Sequence, residues 1–549
     1  MGNGREHRGR IVDPVAGRIF PGVVLVSGGR IERVAEDASV EEATFLCPGF
    51  IDAHVHIESS MLAPAEFARI AVAHGTVGTV SDPHEIANVL GVEGVRYMQR
   101  ECARTPLKIH LGIPSCVPAT RFETAGAGLG PREIAELCRD PSLIYLSEMM
   151  NFPGVVSGDP EVMEKLAAAR RFGKRIDGHA PGLRGEALKK YAAAGIETDH
   201  ECFTIEEARE KLSLGMKILI REGSAARNFG ELWPLLNEHP ESCMLCSDDK
   251  HPDELLEGHI NQLCARAVAN GVPALHTLRA ACTNPVLHYG LRCGILRPGD
   301  PADFVRLENL ESFRVLETWI DGECTARGGK SLLPKTRAPR ANKFHAAPKQ
   351  PADFRIPAGT GRVRTIEAID GQIVTGSGEA EPKVECGFAV ADPSRDLLKI
   401  AVVNRYANVP PAVAFVRGAG LKHGAIASSV AHDCHNIVAV GADDESLACA
   451  VNLVIENTGG ISVSGPGVSD ALPLPIAGLM SDGYAEDAAA AYSRLTLAAK
   501  SLGSPLQAPF MTLSFLALLV IPELKLSDRG LFDGRTFSFT PVFMGSPDS

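Results

Sequence analysis

The sequence predicts an α/β protein built on a (β/α)8 barrel, with a small discontinuous β domain and an additional C-terminal α+β domain. In residues 48–290, eight apolar strand-like runs alternate with helix-like segments, the usual number and length for a closed parallel barrel. Strand-like segments on either side, in residues 1–47 and 291–335, could pair into one small β domain. Residues 336–358 are rich in Pro, Lys, Arg and Ala, which predicts a linker before a last globular segment, 359–549.

The eight candidate barrel strands are short and apolar. They lie around Phe50–Asp52, Val77–Val80, Leu107–Leu111, Leu143–Leu146, Arg175–Asp177, Ile196–Thr198, Lys217–Ile220 and Cys243–Cys246. Between them, Pro64–Ala73 and Pro160–Phe172 have helical patterns. A doubly wound open sheet is the alternative, but it normally has fewer strands and one glycine fingerprint. The sequence has neither GxGxxG after a strand nor a Walker loop.

Further elements are predicted outside the barrel. A hairpin is expected where Val23–Val26 meets Arg30–Ile31 across a Ser-Gly-Gly turn. The other candidates are strands at Gly294–Asp300, Asp303–Val305, Trp319–Gly322, Leu398–Val403 and Ile437–Val440, and a helix near Ala485–Ala499.

Composition excludes several classes of protein. Of 549 residues, 45% are hydrophobic and 22% charged, which is typical of a packed chain and excludes a disordered or collagen-like one. The net charge of −12, without a long basic run, argues against a nucleic-acid partner. Fourteen scattered cysteines predict reduced thiols and a cytoplasmic protein. We find no signal peptide and no apolar run long enough to span a bilayer, so no membrane partner is expected.

Polar residues recur where the predicted strands end. His54 and His56 close the first strand, where residues i and i+2 point to the same side and could grip one metal ion. Later strands end in Ser147-Glu148, Asp177-Gly178-His179, Asp199-His200-Glu201 and Ser247-Asp248-Asp249. Because the C-terminal ends of barrel strands converge on one mouth, we expect these groups to meet there. Four imidazoles and a bridging carboxylate can hold two divalent ions, and the absence of cysteine from the set favours Mn, Fe or Zn.

Two other groups of residues have more than one interpretation. Cys243 and Cys246, together with His56-Ile57-Glu58, superficially match a zinc deaminase signature, but an i, i+3 pair on a strand points to opposite faces. In the C-terminal segment, His423, His432, Asp433 and His435 either make local structural contacts or contribute to the barrel mouth of this or a neighbouring subunit.

Long blocks of the sequence resemble known families. PGFIDAHVHIESSM (48–61) is similar to the opening of the amidohydrolase superfamily, whose members have a metal-bearing (β/α)8 barrel, and GILRPGDPADFV (294–305) resembles part of its split β-sandwich domain. The charged end before Ile11 departs from that pattern, which normally begins with another strand. More narrowly, the chain resembles the adenine deaminase family in HIESSM (56–61), DPHEIANVLG (82–91), EMMNFPGV (148–155), CSDDKHPDELLEGHI (246–260) and GAIASSVAHDCHNIVAVG (424–441).

The resemblance implies a set of metal ligands. His54 and His56 would bind the first metal, and His179 and His200 the second. Glu148 would bridge the two, where many superfamily members use a carboxylated lysine.

Asp248 would also coordinate the first metal and would move the proton. In the superfamily this ligand directly follows a small hydroxyl residue at the end of the strand, here Ser247, so the resemblance favours Asp248 over Asp249. Adjacent residues of a strand face opposite ways, which argues against both being ligands.

The resemblance also implies the reaction, the hydrolytic deamination of adenine to hypoxanthine and ammonia in purine salvage. A metal-bridged hydroxide would attack C6, with two divalent ions (Mn or Fe before Zn) and no organic cofactor. Glu85 or His84 would protonate a ring nitrogen. The expected base-binding residues are Asp82, Ser59 and Asp249, although Asp82 could instead cap the turn at Pro83. Glu58 is expected to orient its loop.

Alternatives to this function come from the same superfamily and from another class. A cyclic amidase or a deacetylase would share the barrel, and a non-catalytic scaffold could retain it. The expected partners are a small purine base and further copies of the chain, as a homodimer or larger homo-oligomer.

Overall fold

Four strands lead into the central unit. In this computed structural model, which describes residues 4–545, they are β1 (Arg5–Asp13), β2 (Arg18–Ser27), β3 (Arg30–Glu36) and β4 (Phe45–Pro48). Residues 1–3 and 546–549, the outer ends of the first and last predicted segments, lie outside the described residues. β2 and β3 pair antiparallel, which confirms the predicted hairpin. The charged N-terminal end does form a strand, because its exposed arginines alternate with buried residues such as His7 and Ile11.

All eight strands predicted for residues 48–290 are present. They are β5 (Phe50–Val55), β6 (Thr76–Ser81), β7 (Lys108–Leu111), β8 (Tyr145–Met149), β9 (Arg175–Gly178), β10 (Thr198–Asp199), β11 (Lys217–Arg221) and β12 (Cys243–Cys246). Parallel pairing joins β5–β6–β7, β8–β9 and β10–β11–β12. Parallel bridges continue from Ile113 to Leu146 and from Val55 to Asp248, and the Glu197 amide donates to the carbonyl of Ile176.

Helices connect these strands. They are α1 (Pro64–Ala73), α2 (His84–Leu90), α3 (Val92–Cys102), α4 (Pro131–Cys138), α5 (Phe152–Ser157), α6 (Pro160–Arg171), α7 (Gly185–Ala193), α8 (Ile205–Ser213), α9 (Phe229–Leu232), α10 (Leu235–Glu238), α11 (Pro252–Glu257), α12 (Ile260–Ala269), α13 (Ala274–Leu278) and α14 (Asn284–Tyr289). Both helices predicted here are confirmed. α6 begins with proline at its first position behind Asp159, whose carboxylate accepts two free amides of the first turn.

The segment that follows α14 pairs with the N-terminal strands. Its strands are β13 (Phe304–Leu307), β14 (Val315–Ile320), β15 (Glu323–Arg327) and β16 (Lys330–Ser331). They join β1–β4 in one eight-stranded sheet of order β16-β15-β14-β13-β4-β1-β2-β3. The strand predicted at Gly294–Asp300 is wrong. This stretch is a loop, because Leu296 and Gly299 have φ of 61° and 91° and the Asp300 carboxylate accepts backbone amides within it.

The last segment has its own eight-stranded sheet, of order β19-β18-β23-β22-β25-β24-β26-β27. The strands of this segment, eight of which form that sheet, are β17 (Ile356–Pro357), β18 (Val363–Glu367), β19 (Gly376–Ala380), β20 (Lys383–Glu385), β21 (Phe388–Val390), β22 (Leu398–Val403), β23 (Ala412–Arg417), β24 (Ala425–Ser428), β25 (Ile437–Gly441), β26 (Gly460–Gly465), β27 (Val468–Pro473), β28 (Leu524–Ser527), β29 (Gly530–Asp533) and β30 (Ser538–Phe539). The helices are α15 (Asp444–Glu456), α16 (Ala485–Ser501) and α17 (Pro509–Phe515). The predicted strands near 398–403 and 437–440 and the predicted helix near 485–499 are confirmed.

The C-terminal segment packs over the ends of the central strands. One buried apolar cluster includes residues of both, such as Leu62 beside the first strand and Ile476 in the C-terminal segment. The amide of Ser481 donates to the carbonyl of Met61 at 2.8 Å, in the loop that follows His56. Residues 336–358, which are largely irregular and end at the short strand β17, run along the central unit and the C-terminal segment. The Thr336 amide donates to Glu66 of α1. None of the described helices is both long and apolar enough to cross a membrane.

Candidate active site

The C-terminal ends of the central strands bring the predicted ligands together. All six are at least 94% buried: His54, His56, Glu148, His179, His200 and Asp248. They come from strands or strand ends far apart in sequence, and the parallel arrangement places every one of these ends on the same side.

Glu148 lies between the two histidine pairs. Its Oε1 is 3.2 Å from Nε2 of His56, and its Oε2 is 2.7 Å from Nδ1 of His179 and 3.1 Å from Nε2 of His200. Burial alone would raise the pKa of Glu148, but His179 and His200 hold it well below its usual range. The carboxylate is therefore ionised and presents one oxygen to each pair.

Asp248 completes the first histidine pair. Its Oδ1 lies 3.2 Å from Nε2 of His56 and 3.6 Å from Nε2 of His54. Its backbone adopts a φ of 53°, in the left-handed region that aspartate enters more readily than most residues other than glycine, and its amide donates to the carbonyl of His54. This geometry aims Asp248 at the histidines. The neighbouring Asp249 instead accepts a 2.5 Å hydrogen bond from the Ser59 hydroxyl.

The donor set fits divalent metal ions. Nδ1 of His56 is 3.1 Å from the carbonyl oxygen of Asp82, so Nδ1 carries a hydrogen and Nε2 is the atom whose lone pair a metal ion would take in the neutral ring. That Nε2 faces Nε2 of His54 at 3.2 Å, and burial lowers the pKa of His54 well below its usual range. Separations near 3.2 Å are those of ligands that each lie about 2 Å from one ion. Groups able to hold an ion include His54–His56–Asp248, His54–Glu148–His200 and His179–His200–Glu201.

Asp82, His84 and Glu85 form a second polar group at the same mouth. The Asp82 carboxylate accepts the backbone amide of His84 at 3.1 Å and lies 3.0 Å from its Nδ1, so it both caps the turn and orients the ring. Although burial alone lowers it, Asp82 and Glu85 raise the pKa of His84 well above its usual range. His84 is therefore a cation that can donate a proton.

Two histidines of the C-terminal segment bind Glu85. Nδ1 of His432 lies 2.5 Å from Oε1, and Nε2 of His435 lies 2.5 Å from Oε2. Burial opposes charge on His432, but Glu85 and Asp249 outweigh it and raise the pKa of His432 to about 9. These histidines lie on a turn at the mouth formed by the ends of the central strands, so of the two interpretations the mouth is the one observed. His423 is exposed and lies elsewhere.

Sequence reasoning missed several residues of the cavity. Nη1 of Arg221 contacts the carboxylates of Glu201 and Asp248, and its Nε donates to the carbonyl of Ala226 at 2.6 Å. The rule applied to the other strands would have found Arg221, because it ends β11, whereas Glu201 was among the strand-end groups expected at the mouth but was given no role. The apolar lining residues Met150, Ile373, Phe515 and Leu518 give no such signal.

The cavity is narrow in this structure, with a volume of about 30 Å³. Its floor, formed by the strand ends, is made of imidazoles, carboxylates and one guanidinium. Its opposite side is apolar and comes largely from the C-terminal segment, through Ile373, Phe515 and Leu518. This arrangement suits a small planar molecule with a polar edge and apolar faces.

The residues weighed as alternatives lie outside this cavity. Cys243 and Cys246 are buried free thiols within β12. Lys174 lies just before β9 and donates to the carbonyl of Asp140 at 3.0 Å, so it does not take the bridging place of Glu148. Glu58 accepts the amide of Ile86 at 3.3 Å, which fits the expected loop-orienting role.

Comparison with known proteins places these features in a family. Residues 45–325 match the family model "Amidohydrolase family", and residues 372–538 match "Adenine deaminase C-terminal domain". The chain is 57% identical to an adenine deaminase of Salinibacter ruber, over 98% of each chain. It is 51% identical to an adenine deaminase of Methanosarcina mazei, over 98% of this chain and 99% of that one. A solved N-acetyl-D-glucosamine-6-phosphate deacetylase from Mycobacterium smegmatis is 16% identical, covers 58% of this chain and 99% of its own, and has a TM-score of 0.45.

The two matches lie on the two parts of the chain that build the cavity, and identity extends along nearly the whole length. The resemblance carried by the motifs is thereby confirmed. The chain belongs to the adenine deaminase family, with an amidohydrolase unit followed by the C-terminal domain of that family.

Proposed function

We propose that the protein deaminates adenine hydrolytically to hypoxanthine and ammonia, as a step of purine salvage. The observation that carries this is the Glu148 carboxylate, which lies between two pairs of histidines in a cavity whose other side is apolar. The near full-length similarity to adenine deaminases supports adenine as the substrate.

Two divalent ions fit the donor atoms of the floor. His54, His56 and Asp248 would hold the first and His179 and His200 the second, with Glu148 shared between them. Bound there, the ions would ionise a water near neutral pH and stabilise developing negative charge. Imidazole and carboxylate donors accept Mn, Fe or Zn, of which we propose Mn or Fe.

Asp248 is the proposed proton carrier of the reaction. It takes the proton of the attacking water and passes it to the departing amine. Its φ of 53° and the backbone bond to His54 fix its carboxylate over the floor. The contact with Arg221 favours the ionised form that can accept this proton.

The purine ring needs a second proton, at a ring nitrogen. His84 and Glu85 are the proposed donors, and the charges around them divide the roles. The Glu85 carboxylate is held ionised by His432 and His435, whereas Asp82 and Glu85 keep His84 protonated. His84 is thus the acid and Glu85 its electrostatic partner. Asp82, Ser59 and Asp249 are proposed to position the base.

We also infer the domain organisation. The parallel pairings and bridges around β5–β12 support a closed (β/α)8 barrel in residues 48–290. The shared sheet of β1–β4 and β13–β16 supports a small β-sandwich domain from residues 1–47 and 291–335. Residues 336–358 then connect this part to a C-terminal domain, 359–549. All fourteen cysteines lie in the described part of the chain as free thiols, which supports a reducing cytoplasm. A homodimer or larger homo-oligomer is the proposed assembly.

Purified protein reconstituted separately with Mn, Fe(II) and Zn tests the function. Adenine should disappear as hypoxanthine and ammonia form in equal amounts. A fully metal-loaded protein that leaves adenine unchanged with all three ions would refute the proposal, and hydrolysis of a cyclic amide or an N-acetyl sugar phosphate under the same conditions would favour its superfamily rivals.

A further inference from the structure

Lys525 is a completely buried lysine whose ammonium group has no ionic partner among residues 4–545. It lies in β28 with no exposed surface, and its Nζ donates to two carbonyl oxygens, those of Ile373 at 2.7 Å and Phe515 at 2.9 Å. A buried ammonium paired only with neutral carbonyls is costly, because water solvates it far better. Burial accordingly lowers the pKa of Lys525 to about 7. An apolar residue would cost less there, so stability alone does not account for the lysine.

Both acceptors belong to the apolar side of the cavity. Ile373 and Phe515 line it directly, together with Leu518, which follows Phe515 in the next turn. The two acceptors lie 142 positions apart in the chain, Ile373 in the loop between β18 and β19 and Phe515 at the end of α17. Neither lies inside a strand, so the sheet ladders do not fix where they stand. We call these three residues the roof.

The roof also contacts the polar group that orients the ring acid. The Phe515 ring stacks on the imidazole of His432 with centroids 5.0 Å apart and planes 20° apart. His432 in turn pairs with Glu85 on the barrel side. A shift of Phe515 would therefore change both the apolar surface over the purine and the position of His432, the partner of Glu85.

We infer that Lys525 is a positioning residue that holds the two segments of the roof against the face of the bound purine and so sets the affinity for the base. The inference rests on the proposed function for the identity of the ligand. A purine has two apolar faces and a polar edge. With its edge toward the strand ends, one face must lie against Ile373 and Phe515, and the plane of the ring follows their position.

Other bonds support the same junction and define what Lys525 adds. The hydroxyl of Thr375 donates to the carbonyl of Leu524, and the Ala226 amide donates to the carbonyl of Gly371 at 2.8 Å. These bonds hold the residues on either side of Ile373 in the loop between β18 and β19. Lys525 alone among them reaches the carbonyls of the lining residues themselves.

The test compares Lys525→Met with a matched buried lysine. Lys399→Met is the control, because Lys399 is also buried in the C-terminal segment and donates to the carbonyl of Phe354, although it also pairs with Asp444, and it lies away from the cavity. We expect Lys525→Met to raise KM for adenine about tenfold, the low end for a lost apolar contact, with kcat within about threefold and metal content unchanged. Lys399→Met should lower the melting temperature and leave KM and kcat unchanged.

Two further measurements separate positioning from general damage. Phe515→Ala should raise KM, and the double variant Lys525→Met/Phe515→Ala should be no worse than Phe515→Ala, because both act through one surface. Amide exchange should speed up in residues 370–375 and 513–518 in Lys525→Met and not in Lys399→Met. Multiplicative effects in the double variant, an unchanged KM, or unchanged exchange would each overturn the inference. If the wild-type protein fails to deaminate adenine, the proposed function fails, and the exchange measurement still decides the role of Lys525.

Discussion

Replacing Glu85 by glutamine should uncouple the two parts of the chain that build the cavity. Its carboxylate accepts bonds from both C-terminal histidines at 2.5 Å while being 99% buried. Glu85→Gln leaves the His432 cation buried without its partner, so the pKa of His432 should fall from about 9 to 6.5 or below. At about 1.4 kcal/mol per pKa unit, this loss is roughly 3 kcal/mol of stability near neutral pH. That figure agrees with the cost of about 3–5 kcal/mol for breaking a buried ion pair.

A double-mutant cycle of Glu85→Gln and His432→Asn measures this coupling through urea unfolding. Glu486→Gln is the matched control, because Glu486 also pairs across the two parts, with Arg69 at 2.8 Å, but is 43% exposed at its side chain. An exposed pair contributes at most about 1 kcal/mol, so the control should change stability little. A coupling energy below about 0.5 kcal/mol between Glu85 and His432 would refute the reasoning.

Three further outcomes are expected. Asp248→Asn should lower kcat about 10²–10⁴-fold with little loss of metal, because the amide cannot accept a proton; near-normal turnover, with Asp249→Asn inactive, would reverse the assignment. Glu148→Gln should lose metal and activity together, which measurements of metal content and activity will check. Wild-type apoprotein reconstituted with metal should regain the same activity with and without bicarbonate. The stability that His432 contributes should be full below about pH 6.5 and lost as the pH rises through about 9, so the unfolding free energies of wild type and His432→Asn should converge over that interval.

The floor of the cavity could be predicted because its signals are local. A histidine or carboxylate that directly follows an apolar strand needs only the parallel arrangement to be placed, and His54, Glu148 and His200 were all placed in this way. The same rule also placed Glu201 at the mouth, without a role, and would have placed Arg221 there had it been applied to the end of β11. The long motif blocks then supplied the roles that spacing alone left open.

The roof could not be predicted, for a physical reason. Ile373, Phe515 and Leu518 are ordinary apolar residues on irregular segments, and nothing local distinguishes a residue that lines a cavity from one in the core. Their positions depend on how the C-terminal segment docks. The strand predicted at Gly294–Asp300 was wrong for a different reason: the adjacent apolar residues Ile295 and Leu296 were given more weight than the turn signals of Pro298 and Gly299.

The charged groups that line the cavity do not balance one another. Its lining includes six carboxylates: Glu85, Glu148, Glu201, Asp248, Asp249 and Asp433. Against them stand one guanidinium, Arg221, and three imidazoles with raised pKa, His56, His84 and His432. Two of the six negative charges remain uncompensated in a site that is almost entirely buried, and burying unpaired charge costs several kcal/mol for each ion. Cations among these carboxylates would lower that cost, and the two divalent ions proposed between the histidine pairs would supply the positive charge at the point where the carboxylates converge.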